Sequence, residues 1–183
     1  MIWLILGVVL WSFAHFFKRI APAARARMGN AGKGVVAIGS FLGIALMVVG
    51  YKAADPVFLW QLGDWARHLN NLLMLAAVAL FGLGNSKSRL RGSLRHPMLI
   101  GVLVWVVAHL MVNGDLPSLI LFGGLGLWAI AEIVVINRAE PAPEPFTGGS
   151  AKGDVRLAVI TLVVFAVIAG IHMWIGPSPF GGM

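Results

Sequence analysis

Apolar positions along the chain gather into long runs at roughly 2–20, 34–52, 67–84, 97–112, 117–137 and 156–175, with most of the charge between them. A helix that crosses a hydrocarbon core about 30 Å thick needs about 20 such residues. The pattern therefore predicts an all-α polytopic membrane bundle of about six transmembrane helices, with residues 1–183 as a single membrane domain. The fourth and fifth runs are joined only by "NGDLP", which makes them an antiparallel hairpin. The stretch "NRAEPAPEPFTGGSAKGD", rich in Pro, Gly and acid, reads as a flexible loop over 138–155.

Composition supports lipid as the solvent. The chain is 59% hydrophobic and 11% charged, with a mean hydropathy of +0.89, whereas soluble domains carry about 25% charged residues. The net charge of +7 does not point to nucleic acid, because the cations sit between apolar runs as topology signals and contacts to membrane lipid. Lys18, Arg19, Arg25, Arg27 and Lys33 follow the first run, Lys87, Arg89, Arg91 and Arg95 the third, and Arg138, Lys152 and Arg156 the fifth. The opposite face has only Lys52 and Arg67. Cytoplasmic loops are enriched in Lys and Arg, so the three basic loops are expected in the cytoplasm and both termini on the outer, periplasmic face. The first run has no basic residue before it and Lys18-Arg19 after it, the reverse of a secretory signal, and it reads as a retained helix. Cysteine is absent, which removes thiolate ligands, catalytic thiols and covalent haem attachment.

Histidine in lipid is a functional signal, because ionisable side chains are expensive there. Trp105, His109 and Asn113 follow at i, i+4 and i+8, so one stripe presents an indole, an imidazole and an amide. Trp11 and His15 repeat the first two members, and "WSFAH" and "WVVAH" share the pattern W-x-x-A-H. Two neutral imidazoles on facing helices suit the axial positions of a haem iron, and they equally suit a pair of satisfied interhelical hydrogen bonds. Depth constrains the first option. Were the first helix to end at Lys18, His15 would lie only about 5 Å from the cytoplasmic edge, against about 20 Å for His109 measured from His96. The pair meets only if that helix continues past Lys18 and Arg19 toward Pro22 or Arg25. His68 and His172 lie near the outer face and read as interfacial residues; on depth alone they are the reserve ligands.

His96 stands between Arg95 and Pro97, and proline belongs at the first position of a helix, so His96 is the expected N-cap. The Arg95–His96 pair suits an anionic headgroup, or equally a capping and snorkelling role. Glu132, the one acid well inside a run, is expected to snorkel or to pair with a cytoplasmic arginine, and Asp115 to cap the fifth helix. Gly39 and Gly43 form a G-x-x-x-G that suits close helix packing. Ser-His-Asp, H-E-x-x-H, P-loop and paired-carboxylate patterns are missing, which leaves redox chemistry, ligand binding or lipid chemistry.

The segment "RHPMLIGVLVWVVAHLMVNGDLPSLILFGG", with "WARHLNNLLMLAA" before it and a first helix carrying an inward histidine, resembles the NnrU family of bacterial inner-membrane proteins over about residues 1–137. That family is linked to denitrification and is related to plant 15-cis-zeta-carotene isomerase, a membrane enzyme using haem b. The resemblance implies haem b held by His15 and His109, and the helical spacing makes Trp11, Trp105 and Asn113 the expected neighbours of that site. It also implies a redox-type cis-trans isomerase acting on an apolar, carotenoid-like molecule. The plant enzyme has a cysteine three residues before the second histidine, where this chain has Val106. A non-catalytic haem or redox protein, or an assembly factor partnered with a nitrite or nitric oxide reductase, is the alternative. R-H-P also resembles membrane methyltransferases, whose further cofactor-binding residues have no counterpart in 138–183.

Overall fold

A computed structural model describes residues 1–144, 146–176 and 178–181. Its helices are α1 (Ile2–Ile20), α2 (Pro22–Arg27), α3 (Ala31–Lys52), α4 (Trp65–Leu83), α5 (Pro97–Val112), α6 (Leu116–Ala139) and α7 (Ala151–Ile175), with a 3₁₀ turn at Arg89–Ser93. No strand occurs among the described residues; Phe58 and Asp115 form an isolated antiparallel bridge. Five helices, α1, α3, α4, α6 and α7, are long and apolar enough to cross a membrane, and α5 is a shorter apolar helix. The protein is therefore an all-helical membrane protein.

The chain forms two compact units, one of residues 1–60 and 113–135, the other of 61–112 and 136–183. In the first, α1 and α3 run antiparallel with small residues at the seam. A Cβ added at Gly7 would lie 2.6 Å from Met47 N, and one at Gly43 would lie 3.0 Å from Trp11 N. Only hydrogen at these positions lets the backbones meet. The expected glycine seam is thus present, with Gly7 and Gly50 as members the G-x-x-x-G did not reveal. Val8 meets Gly124, Trp11 meets Trp128 and Arg19 meets Glu132, so α6 runs parallel to α1.

The start of α6 is a polar clasp. Asp115 Oδ1 accepts from Ser118 N at 2.8 Å, Asp115 Oδ2 accepts from Ser118 Oγ at 2.9 Å, and Tyr51 OH lies 2.8 Å from Ser118 Oγ. Asp115 is the expected cap. Because the Ser118 hydroxyl proton goes to the carboxylate, Tyr51 is the donor to Ser118. A π turn at Leu119–Gly123 follows, a feature the hydropathy pattern does not reveal, and it rotates the phase of the rest of α6.

In the second unit α4 and α5 form an antiparallel pair, with Gly101 against Phe81 and Gly84 against Pro97, and α7 packs on α4 through Leu157 at Gly82. The last helix begins at Ala151, five residues before the expected 156. Ser150 Oγ caps it by accepting from Gly153 N at 3.1 Å, and Asp154 Oδ1 accepts from Ser88 Oγ at 2.7 Å and Arg89 N at 2.8 Å. Arg89 Nε is 2.6 Å from Asp154 Oδ2. The stretch expected as a free loop is tied down by the same neighbour: Arg91 lies over the Phe146 ring, 4.4 Å from its centroid. Pro145 of that stretch lies outside the described residues.

Candidate functional site

In the first unit, Trp11, His15 and Arg19 stand at i, i+4 and i+8 on α1, and face Trp128 and Glu132, an i, i+4 pair on α6. His15 Nδ1 lies 2.8 Å from the Trp11 carbonyl oxygen. A carbonyl only accepts, so Nδ1 carries the hydrogen, and in the neutral ring Nε2 keeps its lone pair. Two indoles hold the ring: Trp11 at 4.0 Å between centroids, tilted by 33°, and Trp128 edge-on at 5.0 Å. The indoles touch each other edge-on at 5.9 Å. One turn toward the basic end, Arg19 Nε is 3.8 Å from Glu132 Oε1, their side chains 18% and 12% exposed. Glu132 therefore meets an arginine from the basic end of α1, one of the two outcomes expected for it. The helix continues past Lys18 to Ile20, and Ala21 interrupts it before α2 starts at Pro22, so His15 lies about 7.5 Å along the axis from the end of α1.

Trp11 Nε1 and Trp128 Nε1 are both buried with no hydrogen-bond acceptor among the described residues. Trp128 was not singled out in the sequence. The signal that points to it is Gly124, Trp128 and Glu132 at four-residue spacing, where an acid inside a span marks the buried stripe.

In the second unit the other W-x-x-A-H repeats the first. His109 Nδ1 lies 2.9 Å from the Trp105 carbonyl oxygen, and the two rings are 4.8 Å apart with planes 48° from parallel. The helix ends at Val112, so Asn113, the third member of the expected stripe, stands just beyond it. His172, on exposed surface, directs Nδ1 to the Ile168 carbonyl oxygen at 2.8 Å. His68 is exposed in the first turns of α4. No group of three or more potential metal ligands of the His, Asp or Glu type occurs among the described residues. A haem iron requires only two.

The R-H-P element is occupied with the chain itself. Arg95 Nη2 donates to the carbonyl oxygens of Glu140 and Pro141, at 2.8 and 3.1 Å, and so caps the C-terminal end of α6. His96 Nε2 lies 2.9 Å from Asn137 Oδ1, and the His96 carbonyl accepts from Ile100 N at 2.9 Å. Its Nε2 is the protonated nitrogen, the reverse of His15 and His109. We expect His96→Ala to lose one exposed side-chain hydrogen bond, about 1 kcal/mol, visible as a small drop in the unfolding midpoint. Any bound haem spectrum should be unchanged, and loss of the spectrum with the fold intact would make His96 a ligand.

No curated protein and no solved structure matches the chain. The sequence profile of one family, described as NnrU protein, matches residues 3–179, extending past the diagnostic motifs to include the last helix. By this match over nearly its whole length, the chain belongs to the NnrU family.

Proposed function

We propose that this NnrU protein is a six-span protein of a bacterial inner membrane that holds haem b through His15 and His109 and uses it on an apolar, lipid-like molecule. The observation that carries the reading is the shared state of the two W-x-x-A-H histidines. Each gives Nδ1–H to the carbonyl four residues back, at 2.8 and 2.9 Å, which orients the ring and puts the basic lone pair on Nε2. Such a second-shell hydrogen bond is what ligating histidines in proteins make. Within each unit the donor type, tautomer and flat aromatic neighbours fit an axial haem ligand. When bound, such a group supplies one-electron exchange or polarisation at an unsaturated bond, and cis-trans isomerisation is the reaction that the family resemblance suggests.

Six spans follow from α5 crossing despite its length. Its 16 residues rise about 24 Å, short of a hydrocarbon core near 30 Å, a mismatch that local thinning accommodates. The parallel run of α1 and α6 supports this reading, because it calls for an odd number of crossings between them and α5 with α3 and α4 makes three. The basic loops support the orientation, and Trp3, Trp65 and Trp174, exposed by 52%, 57% and 85% at the helix ends away from those loops, suit the opposite interface. Exposed indoles belong at the membrane interface. Reporter fusions at Lys33, Arg91 and Gly149 should all report cytoplasm. A periplasmic signal at Arg91 overturns the orientation.

The absorption spectrum of purified protein, before and after haem addition, tests the cofactor. Turnover of zeta-carotene by the haem-loaded protein tests the isomerase. A stable haem spectrum with no turnover, together with co-purification of a nitrite or nitric oxide reductase, assigns the non-catalytic role in denitrification instead.

A further inference from the structure

The indoles of Trp11 and Trp128 flank one imidazole, and the Nε1–H of each is buried without an acceptor among the described residues. Unpaired buried donors are uncommon, and a pair of them in one cluster calls for an acceptor from outside the chain. We infer that Trp11 and Trp128 donate to the carbonyl oxygen of a neutral, flat, apolar ligand of the quinone class, seated against His15. The inference rests on the reading of this site as one for an apolar molecule, and narrows that molecule from a plain hydrocarbon to a carbonyl-bearing one.

Charge selects the neutral ligand over an anion. Arg19, one helical turn from His15, is paired with Glu132 at 3.8 Å, and Lys18 is exposed. A carboxylate placed between the indoles would be an uncompensated charge in a medium of low dielectric, which is costly. A carbonyl needs only donors, and the indoles supply them. Indole N–H groups do not titrate in the physiological range, so the donors stay available at any pH at which the protein is folded.

The test is equilibrium dialysis of the full-length protein in detergent against a short-tailed benzoquinone, with haem content read separately from the absorption spectrum. Saturable one-site binding is expected. Trp11→Phe and Trp128→Phe, which keep the ring and remove the N–H, should each weaken it about three- to tenfold. On the unaltered protein, a benzene with the same tail and no carbonyl should compete at least about tenfold less well than the quinone, and a fatty acid of equal length should not compete. Equal competition by the carbonyl-free probe overturns the inference, as do tighter binding of the fatty acid, unchanged affinity in both phenylalanine variants, or no saturable binding. The spectrum separates the failures: haem without quinone binding sinks this inference alone, and quinone binding without haem sinks the haem reading alone.

Discussion

Purified His15→Ala and His109→Ala proteins each lose the haem spectrum, while His68→Ala and His172→Ala keep it: this is the result we expect, and the largest effect a single substitution should have here. Loss of a second-shell partner alone weakens metal binding by about 10- to 100-fold, and loss of the ligand itself weakens it further. Alanine also removes the ring that fills the space between Trp11 and Trp128, so each variant needs a folding control by circular dichroism. His15→Gln and His109→Gln supply a second pair. They retain a polar side chain of similar reach but offer no imidazole nitrogen, and they should fail to hold haem in protein whose helix content is unchanged.

His172 is the informative comparison because it shares the Nδ1-to-carbonyl arrangement of the other two and lies in the unit of His109. Exposure separates it: His172 is exposed, whereas His15 and His109 are half-buried. If His172→Ala loses the spectrum and His15→Ala keeps it, the iron belongs to the second unit alone, and the carry-over from the family fails for His15. Absence of haem from every preparation, after reconstitution included, rejects the cofactor for the whole chain.

How much of this was legible in the sequence depends on whether the cause was local. The helices were readable because hydropathy over about 20 residues decides them. Asp115 was readable as a cap because a short acid before Leu-Pro can satisfy the backbone three residues on, and it does so at Ser118 N. The start of α7 was not readable. Lys152, Asp154 and Arg156 break the apolar run, and what keeps those residues helical is Asp154 meeting Ser88 and Arg89, more than sixty positions away. The site was readable in halves. Trp11 and His15 announced themselves through the repeated motif, but Trp128 approaches them only through the parallel packing of α1 on α6. Glu132 marked that face of α6, and its position one turn after Trp128 carries the information that the motif search lacked.

The second large effect concerns the α1–α3 seam, where a single methyl group should separate tight glycines from idle ones. Glycine inside a helix is about 1 kcal/mol less favourable than alanine, so an unconstrained Gly→Ala stabilises. Gly34 and Gly170 have nothing within 4 Å of an added Cβ and should show that gain. Gly7 is the opposite case: its Cβ would lie 2.6 Å from Met47 N and 2.8 Å from Gly43 O, both backbone atoms that cannot turn aside. Gly50 is tighter still against the Leu4 backbone, while Gly39 would meet only the Ala14 methyl at 3.2 Å. Overpacking of this kind costs about 1–3 kcal/mol, which exceeds the propensity gain. The expected order of stability is therefore Gly170→Ala and Gly34→Ala above the unaltered protein, Gly39→Ala near it, and Gly7→Ala and Gly50→Ala well below. Unfolding midpoints in detergent, read by circular dichroism, give the order directly. Should Gly7→Ala prove as stable as Gly170→Ala, the helices are not held at backbone contact, and Trp11 and His15 lose the rigid support that fixes their stripe against Trp128.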